Sequence, residues 1–490
     1  MGGGPAGLTA ALMLARQGRD VCVLEADDTV GGIARTERYD GYRFDIGGHR
    51  FFTKIEPVQR LWEELLGNEL LTVKRLSRIY YQKKFFDYPL RARNALAGVG
   101  PGNALLILLS YLRAHLRPTP TEDTFEQWVT NRFGRRLYKI FFKTYTEKVW
   151  GIPCTEIRAE WAAQRIKGLS LYRAILSASP VNRRSEDIKT LIHEFRYPRL
   201  GPGQLWERCA SAIEKEGGRV LLGHRVEGIE VRDGKVDGVW ADTPDGGQRF
   251  EAQHVISTMP LSELVGALDP SPPRGVGTAA RSLRYRDLVV VVLILEQSDL
   301  FPDNWLYIHE PGVRVGRIQN FKNWSPDLVP DSSRTSLGME YFCFQDEQPW
   351  TMDDEEAIAM AKRELGALRL AEPSRVVDGT VFRMPRAYPI YDAEYREHVQ
   401  KIRSHVDRIS NLHTVGRNGM HKYNNQDHSM LTAMMAVRNM EGERHDIWSV
   451  NTDYEYHEEQ FMDRRPASGG PPNPKHGRPA IRHESPSASV

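Results

Sequence analysis

The chain opens on Gly2-Gly3-Gly4-Pro5-Ala6-Gly7, and no other stretch narrows the fold so far. Gly2, Gly4 and Gly7 have the G-x-G-x-x-G spacing. The first glycine permits a tight turn, the second lets the backbone approach a pyrophosphate, and the third lets helix and strand pack closely. Leu8–Gln17 reads as the helix whose N-terminus faces those phosphates. Strand Asp20–Leu24 then ends in Glu25, an acid placed to hydrogen-bond the adenosine ribose hydroxyls. The spacing alone is a weak signal; helix, strand and acid at the right distance make it a strong one. Such a turn normally follows a buried strand, and here only Met1 precedes Gly2. The expectation is a lost central strand, from an upstream start or from trimming, at a cost to stability and cofactor affinity.

Two more glycine clusters follow: Gly31-Gly32 with Arg35-Thr36, then Asp45-Ile46-Gly47-Gly48-His49. Either alone reads equally well as ordinary turn glycines. A nicotinamide needs neither, whereas the ribityl chain and ring of a flavin run further across the domain. Their succession behind a dinucleotide turn predicts FAD as the cofactor.

Composition sets the outer limits. Lysine plus arginine is 66 and aspartate plus glutamate 64 in 490 residues, a balance unlike that of a protein coating nucleic acid. No apolar run reaches the roughly 18 residues of a spanning helix. The longest runs, Ala104–Leu109 and Leu288–Leu295, read as core elements, so no membrane insertion is expected. Cys22, Cys154, Cys209 and Cys343 lie far apart with no C-x-x-C pair, which predicts reduced thiols in a cytoplasmic protein. The histidines show no metal-ligand spacing, so no metal is expected.

Along the chain, residues 95–180 look helical, with amphipathic stretches at Ala104–Leu116 and Phe125–Tyr145. Helix Gly203–Lys215 and strands Arg219–Leu222, Val226–Val231 and His254–Ser257 restore alternation, and 280–345 is rich in β-branched runs. The expected architecture is α/β. A Rossmann-like FAD-binding domain is assembled from 1–92, 196–265 and 406–460, with an inserted helical substrate domain at 93–195. An antiparallel-sheet substrate domain spans 266–405, and 461–490 is a disordered tail of Pro, Gly, Ser, Arg and His.

Several segments carry a family likeness. They are Gly47-Gly48-His49-Arg50-Phe51-Phe52, Phe85-Phe86-Asp87-Tyr88-Pro89, Tyr145-Thr146-Glu147-Lys148-Val149-Trp150-Gly151 with Arg165 behind it, and Trp305-Leu306-Tyr307 with Gly316-Arg317-Ile318 and Asn323-Trp324-Ser325-Pro326. The last is Gly416-Arg417-Asn418-Gly419-Met420-His421-Lys422-Tyr423-Asn424-Asn425-Gln426-Asp427-His428-Ser429. Over about residues 2–440 the sequence resembles the UDP-galactopyranose mutases, within the wider class of FAD proteins that includes amine oxidases.

That resemblance implies residue roles. Arg165 and Arg317 would face a sugar-nucleotide diphosphate, and Tyr307, Tyr388 and Tyr423 would hydrogen-bond its oxygens. Tyr145, Trp150 and Trp305 would line the pocket, and His49 would sit against the flavin ring. Gly2, Gly4, Gly7, Glu25, Gly32, Arg35, Gly47, Gly48, Gly416, Arg417, Gln426 and Asp427 would hold the cofactor. The implied reaction is redox-neutral interconversion of the pyranose and furanose forms of a nucleoside-diphosphate hexose, UDP-galactose-like or GDP-linked. It would proceed through an adduct of the sugar with N5 of the reduced flavin.

The residue types suit that chemistry. Arginine donates two parallel hydrogen bonds to phosphate and stays ionised, tyrosine adds neutral donors, and bases stack on aromatic faces. Taken without the resemblance, Tyr145 and Trp150 read as a helical core stripe and Arg165 as half of a surface ion pair. An amine-oxidase or protoporphyrinogen-oxidase-like oxidoreductase is the alternative enzyme, and a non-catalytic flavin- or nucleotide-binding protein the alternative outside catalysis. The reductant, the oligomeric state, the base and the hexose are not encoded legibly.

Overall fold

The computed structural model describes residues 1–88, 90, 92–159 and 193–451. The glycine turn enters α1 (Pro5–Arg16) and β1 (Cys22–Leu24). The hairpin β2 (Thr36–Tyr39) and β3 (Tyr42–Asp45) leads to α2 (Glu56–Leu66), β4 (Leu70–Lys74), β5 (Ser77–Tyr81) and β6 (Lys84–Asp87). The helical insertion holds α3 (Ala92–Val99), α4 (Pro101–Leu116), α5 (Phe125–Tyr138), a π turn at Lys139–Lys143 and α6 (Thr144–Trp150). The chain returns through β7 (Glu194–Pro198), α7 (Gly203–Lys215) and β8 (Arg219–Leu221). A meander of β9 (Arg225–Arg232), β10 (Lys235–Thr243) and β11 (Gly246–Phe250) follows, then β12 (Val255–Ser257), α8 (Leu261–Gly266), β13 (Leu268–Asp269) and α9 (Arg274–Ser282). Next come β14 (Tyr285–Leu295), β15 (Trp305–Ile308), β16 (Arg317–Asn320), β17 (Thr335–Cys343), α10 (Asp354–Ala367) and β18 (Val376–Pro389). Finally α11 (Tyr395–Val406) and β19 (Leu412–Thr414) precede α12 (Gln426–Met440).

In the first layer, β1 pairs in parallel with β8, and β12 in parallel with β19. The first two residues join these pairs. The Met1 amine donates to the Ile256 carbonyl (2.8 Å), the Thr258 N–H donates to the Met1 carbonyl (3.0 Å), and the Gly2 N–H donates to the Leu24 carbonyl (2.8 Å). Where a full strand was expected to be lost, this two-residue link holds the turn between β1 and β12. α1 then crosses close behind it: a Cβ on Gly7 would lie 1.9 Å from the Gly2 carbonyl oxygen.

The second layer is one seven-stranded sheet in the order β18-β14-β17-β16-β15-β5-β6. All neighbours are antiparallel except β15 and β5, which run parallel, so the sheet expected to be antiparallel is mixed. Residues 77–87 join it from the first segment of the chain. The run Leu288–Leu295 forms β14, buried on both faces. Leu288, Val290, Val292 and Ile294 enter one core, while Val289, Val291, Leu293 and Leu295 enter the other, against α10.

The helical insertion corrects two expectations. Phe125–Tyr145 is not one helix: Gly134 takes φ 78°, where it lets α5 press on the backbone of Tyr111 in α4, and the π turn follows. Ala104–Leu109 is not a core run either, because Leu105, Leu106 and Leu109 are exposed. Arg165 and the expected tail lie outside the described residues.

Gly7→Ala is expected to lower the unfolding free energy by at least about 1–3 kcal/mol, because the clash is with backbone rather than a movable side chain. Chemical denaturation followed by tryptophan fluorescence checks this; an unchanged midpoint contradicts it.

Candidate active site

The site is assembled from four parts of the chain. Register in the large sheet sets the first. Tyr307 on β15 lies opposite Arg317 on β16, and Arg317 opposite Glu340 on β17, so these three share one face. Arg317 donates to Glu340 through Nε (2.8 Å) and through Nη2, and Nη2 lies 3.4 Å from the Tyr388 hydroxyl. Glu340 is wholly buried, and its other oxygen accepts from Gln319 Nε2 at 2.8 Å. Burial opposes the charge on Arg317, but the facing carboxylate outweighs it and keeps the guanidinium ionised.

The glycine–histidine loop meets this row. A Cβ on Gly47 would lie 3.7 Å from Arg317 Nη2, 3.8 Å from the Tyr388 hydroxyl and 3.9 Å from His49 Cε1. Gly48 lies against the Trp324 ring. Burial, with the cations of Arg417 and Arg317 nearby, pushes His49 down to about 3, so it is neutral.

α6 supplies a third wall. Tyr145 stacks flat on His309, centroids 4.9 Å apart, and meets Tyr307 edge-on at 5.5 Å. Trp150 approaches Tyr388 at 6.4 Å and Tyr423 at 6.1 Å. Lys148, one turn away, donates to the carbonyls of Ile308 (3.4 Å), Glu310 (2.6 Å) and Val315 (3.2 Å), which fixes α6 to the sheet. Trp305 sits deeper, packed on Trp324 and covered by Arg50 and Arg75, so it supports the pocket from behind Tyr307.

The C-terminal motif closes the fourth side. Tyr388 and Tyr423 stack 5.6 Å apart, and the Arg417 guanidinium lies over both rings. Gly416 packs on α1, where its Cβ would fall 3.1 Å from that of Ala6. Thus the two cofactor motifs, far apart in sequence, meet at the N-termini of α1 and α12.

These residues fit a flavin dinucleotide. Gly4 and Gly32 approach within van der Waals range, leaving room for a pyrophosphate beside bare backbone. Arg417 Nε and Nη2 and both amide atoms of Gln426 are buried with no hydrogen-bond partner among the described residues, and a polar cofactor would satisfy them. Asp427 is buried and accepts from the His428 N–H at 2.9 Å. Two expected contacts are already committed. Glu25 accepts from Gly3 N–H (2.5 Å) and Asp27 N–H (2.9 Å), which leaves lone pairs for a ribose. Arg35 pairs with Asp27 through Nη1 (2.9 Å) and with Glu37 through Nε (2.6 Å), which fixes its guanidinium beside the turn.

Sequence reasoning missed Glu340, His309 and Lys148. Glu340 had a readable signal: it is the one charge in Thr335–Cys343, an otherwise uncharged strand.

His49 and His309 are both held near pH 3 by burial, against an ordinary value of 6.5. The unfolded chain therefore binds protons that the folded one refuses as pH falls from 6.5 towards 3, and stability is lost across that window. His309→Phe keeps the stack on Tyr145 and is expected to flatten the slope there by up to about 1.4 kcal/mol per pH unit. Unfolding measured at several pH values checks this; an unaltered slope would mean His309 titrates normally.

Comparison with known proteins agrees with this geometry. Residues 5–423 match the family model described as flavin containing amine oxidoreductase. By structure, the chain is similar to reduced UDP-galactopyranose mutase at a TM-score of 0.79 and 22% identity, covering 92% of this chain and 97% of that one. It is also similar to putrescine oxidase bound to putrescine, at a TM-score of 0.58 and 18% identity, covering 90% and 98%. By sequence, it is 22% identical over 426 residues to coproporphyrinogen III oxidase of Mycobacterium tuberculosis, 82% of this chain and 89% of that protein. The sequence likeness is thus to an oxidase and the structural likeness to both a mutase and an oxidase. The chain belongs to the flavin containing amine oxidoreductase family, and its cofactor is FAD.

Proposed function

We propose that the chain interconverts the pyranose and furanose forms of a nucleoside-diphosphate hexose, UDP-galactose-like, with GDP-linked sugars as the other candidates. The observation that carries this reading is the make-up of the cleft. Arg317 and Tyr388 lie beside Gly47 and its neighbour His49; Trp150 and Tyr423 contact Tyr388, Tyr307 lies opposite Arg317, and Tyr145 meets Tyr307. A diphosphate brings about two negative charges into a partly dry cleft, which guanidinium and phenol donors suit. The likeness to reduced UDP-galactopyranose mutase across nearly the whole of both chains supports the same assignment.

Bound and reduced, FAD supplies an electron-rich centre for the anomeric carbon. The protein's part is positioning and charge. Glu340 takes Arg317 Nε and Nη2, which fixes the guanidinium plane; Nη1 makes no hydrogen bond among the described residues and is the donor for the departing diphosphate. The resemblance to the UDP-galactopyranose mutases assigns a second guanidinium to Arg165, which lies outside the described residues. Burial pushes the Tyr388 hydroxyl up to about 12 and raises that of Tyr145 well above its ordinary value, so both stay protonated donors near neutrality. His49, being neutral, adds no charge beside the ring, and Trp150 offers a stacking face.

The likeness to coproporphyrinogen III oxidase favours a second reading, an amine-oxidase or protoporphyrinogen-oxidase-like reaction in which hydride passes to the flavin and then to oxygen. Incubation with UDP- and GDP-hexoses separates the two. The mutase reading expects furanose product with dithionite-reduced protein, and none with oxidised protein. Arg317→Ala is expected to lower that turnover by about a hundredfold or more, near 3 kcal/mol at the transition state. Peroxide release from an amine or porphyrinogen, with no furanose under any condition, would replace it with the oxidase reading.

A further inference from the structure

α4 packs inward through Ile107, Tyr111 and Ala114. At about 100° per residue, Leu105, Leu109, Leu112 and Leu116 fall within an arc of about 60° on the opposite side. With Leu106 beside them, these leucines are 50–81% exposed. Nine large hydrophobic side chains stand exposed among the described residues, and five of them are on this one helix. Single exposed leucines are ordinary; a stripe of five marks a contact surface.

The charge around the stripe identifies its partner. Arg113 flanks it on one shoulder and His115 on the other, with Arg117 at its end, all exposed. Arg113, Arg117, Arg135 and Arg136 form no ion pair among the described residues, although Arg136 donates to Asn103 at 2.6 Å. Residues 90–143 hold nine lysines and arginines against three acids, while the whole chain holds 66 against 64. Residues 94–112 carry no charge at all. No described helix is long and apolar enough to cross a membrane, and α4 is interrupted at its start by Gly100-Pro101. A helix of this kind lies in a bilayer surface, its leucines among the acyl chains and its arginines among the phosphates. An apolar face and a basic cluster are the two signals that stable peripheral attachment requires. A second copy of the chain fits poorly, because a two-fold contact would set the same basic patch against itself.

We propose that α4 docks this flavoprotein on the surface of an anionic lipid bilayer. The side chains involved are exposed and distant from the cofactor motifs, so the inference holds whichever reaction the cleft performs. α5, which packs on α4, leads through the π turn to α6, the helix that bears Tyr145 and Trp150.

Co-sedimentation of the full-length flavoprotein with vesicles tests it, using phosphatidylcholine alone and phosphatidylcholine mixed with phosphatidylglycerol. The wild type is expected to bind the anionic vesicles at least tenfold more tightly, and to release at high salt. Leu109→Glu with Leu112→Glu is expected to lose at least tenfold in binding while keeping flavin content and melting temperature, and Arg113→Glu with Arg117→Glu to bind weakly at low salt. Three results would overturn the proposal. They are absence of wild-type binding to anionic vesicles, leucine variants that bind as the wild type does (attachment through another segment such as the basic tail), and a wild-type dimer that the leucine variants dissolve.

Discussion

The ion pair between Arg317 and Glu340 governs the cleft. Both groups sit on neighbouring strands of the large sheet, in direct register, with Tyr307 next in the row. A buried pair of this kind adds little net stability, because both charges lose their water; its effect is on geometry. Glu340, itself fixed by Gln319, leaves the guanidinium one orientation. Removing the carboxylate alone would strand a buried cation, so the loss of one partner also costs stability. The positions of Tyr388, Gly47 and His49 are all set against that fixed plane.

The cofactor side rests on close backbone approach. Gly7 behind Gly2, Gly4 beside Gly32, and Gly416 on Ala6 bring three distant segments within contact distance. A side chain at Gly7 would collide with the Gly2 carbonyl and one at Gly416 would crowd Ala6, whereas Gly4 and Gly32 meet at ordinary contact distance. The first turn is tied on one flank to Leu24 and on the other to Ile256 and Thr258, so the cofactor motif is also what joins the two halves of the parallel layer. Binding and folding are therefore coupled in this layer.

Much of this was legible in the sequence where the signal is local. The glycine spacing, α1, β1 and Glu25 follow from steric rules within some twenty-five residues, and α7 and β12 from periodicity. The Tyr145 to Trp150 segment was readable as a site through its resemblance rather than through its pattern, since an aromatic stripe on a helix reads equally as core. Non-local pairing was not legible. Nothing near residues 77–87 announces that they leave the first domain to pair with β15. The ion pairs of Arg35 with Asp27 and Glu37 were not legible either, because they join ordinary neighbours that local reasoning passes over. The leucines of α4 were misread because an apolar helix face looks the same in sequence whether protein or another medium covers it.

Lys148 has a consequence for how this protein can drift. Its ammonium is gripped by three main-chain oxygens, those of Ile308, Glu310 and Val315, and by no side chain among the described residues. The socket thus reads the path of the main chain rather than the chemistry of its side chains. Ile308 and Val315 are held by the core in any case, so only the side chain at 310 can drift and leave the joint intact. Any change that removes the ammonium at 148 or bends the loop loosens the seam between helices and sheet.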